Sequence, residues 1–414
     1  MLDLSPIPII DGHCHAFYLS EEPLGPHDLE EQVGLLAAHT PQYLFPARYH
    51  TRAASAVPPE RRALDEQFGV PQTWAYVRRA ATSTIFFRLF LKRLARFLDC
   101  EPTVAAVTVA RNEAAADMAA YAGRLLRDAS VQAMVIDEGM PRPLDVDGFI
   151  QAMPIPVRRL LNMRATLEDL MATHETFDDI AEAYRAEITD AVQRRRYVGL
   201  KSHIAYTSGL DVWKPSAAQA REAFSRFKRG ESDAWKEVDS YFFRLALTEA
   251  RRLGVPVQIH TGVGGVGIYL NRCNPLLLED VLKDDALHGT MIVLLHAGYP
   301  WASEVGFLTN AFPNVYADIS FTLPYTHASM PQHLLELLEL APLCKVMYGS
   351  DTYLFPELQW LTAHLARQHL GAALERLVQA GAFTSDEAED AALDLLHNNA
   401  ARLYGLDVVS AVAV

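Results

Sequence analysis

Two histidines one residue apart, His13 and His15, close the run Ile7-Pro-Ile-Ile-Asp-Gly-His-Cys-His. Along a strand that spacing puts both imidazoles on one face, close enough to hold one cation, while Cys14 points away. In a chain with 15 His, roughly half an HxH pair arises by chance, so spacing alone decides nothing. Position decides more. His260 ends Val-Gln-Ile-His-Thr-Gly, His296 ends Val-Leu-Leu-His-Ala-Gly, and Asp351 follows Met-Tyr-Gly-Ser. An apolar run that ends in an ionisable group is costly to bury unless that group is paired or ligated. Imidazoles with a carboxylate suit zinc or another borderline divalent metal, with a position left open for water or substrate. Such an ion lowers the pKa of water to about 7. Asp351 can ligate it, orient the water, take the proton and pass it to a leaving group.

Lys201 ends Tyr-Val-Gly-Leu-Lys, and three chemistries fit it: pairing with a substrate carboxylate, Schiff-base formation, or metal ligation after carboxylation. Burial favours the neutral amine that the last two need; a lysine that snorkels to the rim is the bland reading. His203 shares the face of Lys201 and is expected to line the pocket. Arg164 can clamp a substrate carboxylate, or merely bridge to Glu168 one helical turn away. Tyr206, Tyr299 and Trp301 are placed to wall the pocket or to pack the core. Gly262, Gly264, Gly265 and Gly267 make a flexible loop that lacks the Gly-Lys-Ser/Thr of a phosphate cradle.

These residues need a scaffold that brings distant strand ends together. Short apolar runs are predicted as strands at 7–11, 131–137, 157–163, 197–202, 255–260, 291–296, 314–319 and 345–350. Each is near-continuous in apolar residues, as expected for parallel strands buried on both faces. Amphipathic helices are predicted at 234–253, 275–282, 301–312 and 331–340, so strand and helix alternate. Eight such repeats predict an α/β fold closed into a distorted (β/α)8 TIM barrel, whose functional groups gather at the carboxyl ends of the strands. About a hundred residues separate the first two strands, far beyond an ordinary loop. Helical patterns near 61–67, 73–97 and 112–127 make that stretch an inserted helical subdomain, spanning about 20–128 of a single domain that runs 1–414. A smaller insertion is expected at 217–230. Both follow strand carboxyl ends and are placed to cover the site. Thr384-Ser385-Asp386-Glu387 begins the last helical pattern with an N-cap.

Composition narrows the partners. The 414 residues are 50% hydrophobic and 21% charged, with a net charge of −14, which argues against a nucleic-acid groove and leaves a small-molecule substrate. None of Cys14, Cys100, Cys273 and Cys344 forms a CxxC pair, so neither a zinc ribbon nor a disulfide framework is expected and a reducing, cytoplasmic setting is. The opening Met-Leu-Asp-Leu-Ser-Pro does not read as a signal peptide. The lipophilic stretch 85–98 is too short to span a bilayer and carries Arg88, Lys92, Arg93 and Arg96. A lid helix or subunit contact is preferred over a membrane-surface helix, and its apolar content suggests a homodimer.

The Asp11-Gly-His-Cys-His run, the histidines of strands five and six and the aspartate after strand eight resemble the amidohydrolase superfamily over nearly the whole chain. Within it, Gly199-Leu-Lys-Ser with Ala205-Tyr206 and Ser208-Gly-Leu, His260-Thr-Gly, and the ending Asn398-Asn-Ala-Ala-Arg-Leu-Tyr-Gly-Leu look like the amidohydrolase-2 branch, similar to nodulin/FluG-like proteins. The resemblance implies a first metal on His13, His15 and Asp351. It further implies either a carboxylated Lys201 bridging to a second metal on His260 and His296, or a single metal with His260 as ligand and His296 as catalytic group. The presence of Lys201 tips the expectation toward two ions, zinc first among candidates. The implied activity is hydrolysis of an amide, with an ester or lactone next, in a small polar substrate. Since the superfamily also holds decarboxylases, a decarboxylase of a small unsaturated or aromatic acid is the alternative, and a non-catalytic binding barrel a third.

Overall fold

The computed structural model describes residues 2–20, 22–33, 74–138, 145–265 and 268–406. The helical pattern expected near 61–67, and Gly267, lie outside them. Eight strands, β1 (Ile9–Cys14), β2 (Val131–Asp137), β3 (Val157–Asn162), β4 (Gly199–Ser202), β5 (Val257–Ile259), β6 (Ile292–Leu294), β7 (Val315–Asp318) and β8 (Val346–Met347), pair in sequence order. Every ladder is parallel. Beyond β8 the chain turns onto β1: Gly12 N–H donates to the Tyr348 carbonyl (3.0 Å), and Ser350 and Asp351 N–H both donate to the His13 carbonyl (2.9 and 2.8 Å). These bonds bring the last strand's end against the first and make the sheet a barrel, as expected from the eightfold repeat.

An inner cluster of Ile10, Ala133, Val135, Leu160, Val293, Leu295 and Met347 fills the barrel. The closing helix Asn399–Tyr404 plugs one end, adding Ala400 and Tyr404 to that cluster. Asn399 secures the plug by donating to the carbonyls of Leu343 (2.7 Å) and Val346 (2.6 Å) at the start of β8. The outer helices pack through a larger apolar layer.

Between β1 and β2 the described residues include helices Trp74–Thr82, Ile85–Leu98, Val104–Ala114 and Met118–Asp128. Thr84, Thr103 and Asp117 start the last three as N-caps, each accepting from a first-turn N–H. Ile85–Leu98 spends its apolar face inside the chain, burying Phe86, Phe87, Phe90, Leu94 and Ala95. Burial within the chain accounts for those five side chains, while Ile85 stays exposed. Arg111 fastens the insertion to helix Pro356–Gln379 through a buried ion pair with Glu357 (2.8 Å). The second insertion forms helix Ala217–Lys228, started by a Ser216–Gln219 capping box. Thr384 and Glu387 make the expected cap of helix Ser385–Leu393. Among the described residues no helix is long and apolar enough to cross a membrane.

Candidate metal centre

β1 does not run as a regular ladder. Its register against β2 shifts between Asp11 and Cys14, a bulge that aims His13 and His15 at the barrel mouth. Their ring centroids lie 5.7 Å apart, and both rings reach the same carboxylate. His13 Nε2 is 2.9 Å and His15 Nε2 3.3 Å from Asp351 Oδ1. Asp351 leaves β8 in the left-handed region (φ 52°), which turns its carboxylate back over β1. His296 follows β6 at φ 66° and Ala297 at φ 48°, so a sharp turn throws the imidazole inward, its Nε2 3.8 Å from Asp351 Oδ2. Non-glycine residues held there cost of order 1–3 kcal/mol each and persist only where the surroundings impose them. One donor atom from each of His13, His296 and Asp351 lies within 4.8 Å of the others. His260, just after β5, brings its Nδ1 to 3.0 Å from His296 Nε2. Lys201 Nζ, from β4, sits 3.2 Å from His13 Nε2. The six residues expected to form the metal group are thus brought into one connected cluster.

The cluster holds more acceptors than protons. Burial and the nearby Lys201 charge push His13 down to about 4. Burial likewise sends His260 and His296 well below the ordinary histidine value, and lowers Lys201. Burial alone would raise Asp351, but the facing His296 and His13, with the hydrogen bonds from His13 and His15, hold it below the ordinary carboxylate value. His15 is the exception: its burial is overcome by the Asp351 hydrogen bond and the Asp137 charge, which raise it. His13 Nδ1 and His260 Nε2 are buried with no hydrogen-bond partner. A neutral imidazole carries one proton for two nitrogens, so neutral His13, His260 and His296 around a carboxylate cannot satisfy every lone pair. A divalent cation among the facing atoms, His13 Nε2, His15 Nε2, His296 Nε2 and the Asp351 carboxylate, would relieve the crowding of acceptors there, and these nitrogen and carboxylate donors fit zinc.

Three other residues from the sequence reading take different places. His203 is tied at both nitrogens, Nε2 to Asp137 Oδ2 (3.2 Å) and Nδ1 to Asn162 Nδ2 (3.2 Å). Arg164 is half exposed and bridges to Glu168 at 2.7 Å; it lines a small cavity with Ser202 and His203 rather than joining the cluster. Tyr299 packs its ring on His333 (4.8 Å). Tyr206 does reach the centre, its ring 4.7 Å from His260, and its hydroxyl accepts from Gly265 N–H (2.9 Å). Gly264 lies beneath that hydroxyl: a Cβ there would run into Tyr206 Oη and stand 2.7 Å from His260 Nε2.

Several residues at the mouth escaped the sequence reading. Asp137 ends β2, and its backbone carbonyl lies 3.2 Å from His15 Nδ1. Its side chain accepts from Asn162 Nδ2 at 2.9 Å. Asp318 ends β7 and accepts from the backbone N–H of His296 (3.2 Å) and of Ser320 (3.0 Å). Burial raises Asp318 to about 7. Phe321 faces His296 (5.4 Å), Tyr325 faces Phe321 (5.4 Å), and Phe86 of the insertion faces Tyr325 (4.9 Å). Asp137, Asn162 and Asp318 carried the same signal as His260, a polar residue closing an apolar strand.

The Amidohydrolase family model matches residues 178–406. Among curated proteins the chain is similar to protein fluG of Emericella nidulans, with 30% identity over 253 residues, 58% of this chain and 29% of that protein. It therefore spans well under half the length of that relative. Among solved structures it is similar to a protein described as a metal-dependent hydrolase from Lactobacillus casei, with a TM-score of 0.75, 23% identity and 98% of each chain covered. A uronate isomerase from Thermotoga maritima is similar with a TM-score of 0.63 and 14% identity, over 97% of this chain and 95% of that one. At such identities the two likenesses are of fold.

Proposed function

The chain belongs to the amidohydrolase family, and from that premise we propose that it is a metal-dependent hydrolase cleaving an amide bond in a small polar substrate. The observation that carries the reading is the convergence of His13, His296 and Asp351, their donor atoms within 4.8 Å of one another. His13, His15, His260, His296 and Asp351 would hold the cation. Lys201, buried and pushed toward its neutral form, is the residue available to bridge a second ion as a carbamate. A divalent ion there supplies Lewis acidity and brings the pKa of water down to about 7.

The chain's own groups divide the remaining work. Oδ1 of Asp351 faces His13 and His15, which leaves Oδ2 to receive a proton from the attacking water. The same oxygen then returns that proton to the departing nitrogen, so one carboxylate serves as base and then acid. Phe321, Tyr325 and Tyr206 wall the site and limit water around the reacting bond. An ester or lactone would use the same groups with oxygen departing.

A panel of γ-glutamyl and acyl amides tests the proposal on metal-loaded protein. Turnover should fall to background on chelation and return with zinc. Metal-loaded protein that ignores the panel yet decarboxylates aromatic or unsaturated acids would sink it in favour of a decarboxylase.

A further inference from the structure

β7 contributes no residue to the metal group, yet its end is built around His296. Asp318 Oδ1 accepts three donors: the His296 backbone N–H (3.2 Å), the Ser320 backbone N–H (3.0 Å) and the Ser320 hydroxyl. Ser320 Oγ in turn lies 2.8 Å from His296 Nδ1. Two backbone N–H groups can only donate, so Asp318 Oδ1 is an acceptor. The other oxygen, Oδ2, is buried without a hydrogen-bond partner and lies where a side chain at Gly349 would collide with it.

A hydroxyl has one proton to give. Ser320 gives it to Asp318 Oδ1, so its oxygen must accept from His296, and His296 Nδ1 must carry a hydrogen. Nε2 is then the bare nitrogen, and it is the one that faces Asp351 Oδ2 (3.8 Å) and His260 Nδ1 (3.0 Å). The direction of the relay follows from proton counting alone.

We propose that Ser320, oriented by Asp318, is a positioning residue that fixes His296 in its Nδ1-protonated tautomer and presents a bare Nε2 to the metal centre. The two left-handed residues, His296 and Ala297, fit this role. The turn they make is unfavourable, and Asp318 holds it by binding the His296 backbone while Ser320 holds the ring. Asp318 thereby sets both the aim and the tautomer of one imidazole. The consequence for the metal rests on the proposed metal-dependent function; the tautomer does not.

The test reads the two separately. Long-range 15N–1H correlation spectra of metal-free protein, with His296 assigned by its loss in His296→Gln, should give wild-type His296 a pyrrole-like Nδ1 and a pyridine-like Nε2. Ser320→Ala should lose that fixed pattern, and Ser320→Thr, which keeps the hydroxyl, should restore it. Zinc affinity, read by competition with a chromophoric chelator, should weaken about 10- to 100-fold in Ser320→Ala and recover in Ser320→Thr. A wild-type His296 protonated at Nε2, or a Ser320→Ala spectrum unchanged at His296, would overturn the relay. An unchanged zinc affinity in Ser320→Ala would overturn its service to the metal. Wild-type protein that binds no zinc would instead defeat the metal-dependent reading, while the spectra still decide the relay.

Discussion

Two histidine–carboxylate groups sit side by side at the barrel mouth and are built on opposite terms. On the β2–β3 side, Asp137, Asn162 and His203 close a ring of two hydrogen bonds and one ion-pair contact in which both nitrogens of His203 are engaged. Across the mouth, His13, His15, His296 and Asp351 crowd together with His13 Nδ1 and the adjoining His260 Nε2 left orphaned. The first group uses most of its polar atoms on itself, with the Asp137 carbonyl set against His15 Nδ1. The second crowds three imidazole Nε2 atoms against one carboxylate, an arrangement a fold tolerates where a ligand completes it. A histidine at a strand end is therefore not a ligand by virtue of its place. What separates His203 from His13 and His260 is whether both ring nitrogens already have a partner within the protein.

Substitutions can break this contrast or sharpen it. The largest effect belongs to Asp351→Asn, which should abolish metal retention and lower activity by about 10^3-fold or more, read by elemental analysis and turnover. Asp137→Ala strikes the satisfied group instead. It leaves the donors of Asn162 and His203 without their acceptor, which should cost about 1–3 kcal/mol in urea unfolding. A fully retained stability would show that the ring is no brace. His203→Ala should sharpen the contrast most, lowering stability while zinc affinity stays within about threefold; a collapse of metal binding would move His203 into the centre.

The smallest effect is one of pH, at a third histidine site. His369 Nε2 lies 3.3 Å from His327 Nδ1, and burial pushes His369 down from 6.5 to about 4. The unfolded chain takes up a proton before the folded one does. Stability should thus decline as pH falls from the unfolded value near 6.5 toward about 4. By about pH 5.5 the loss attributable to this group should be about 1 kcal/mol. His369→Gln should flatten that part of a Tm–pH curve, and an unaltered slope would assign the titration elsewhere.

The barrel was legible because buried parallel strands have to be apolar throughout, and β2 carries the bounds expected of it. Departures have local causes. Pro8 has no N–H to give a ladder, so β1 begins at Ile9 and runs on to Cys14, past the expected end. β8 shrinks to Val346–Met347 because the Tyr348 N–H bonds to the Leu395 carbonyl, and the Ser350 and Asp351 N–H groups bond to the His13 carbonyl of β1. In the cluster, His13, His15, His260, His296 and Asp351 could be read from strand ends. Asp137 and Asp318 carried the same strand-end signal, but Ser320 did not. Ser320 meets His296 only because of the left-handed turn at His296 and Ala297, which no spacing announces. Arg164 shows the converse: a plausible substrate clamp in sequence, it meets Glu168 on a half-exposed helix surface.

The central claim is that the imidazole nitrogens and carboxylate oxygens that face one another around Asp351 are held together by a divalent cation. Elemental analysis of purified protein, paired with its melting temperature before and after chelation, tests this directly. The account predicts one or two divalent ions per chain, zinc foremost, and a lower Tm once they are stripped. Protein that is free of metal, and whose Tm moves neither with chelator nor with added zinc, would contradict it.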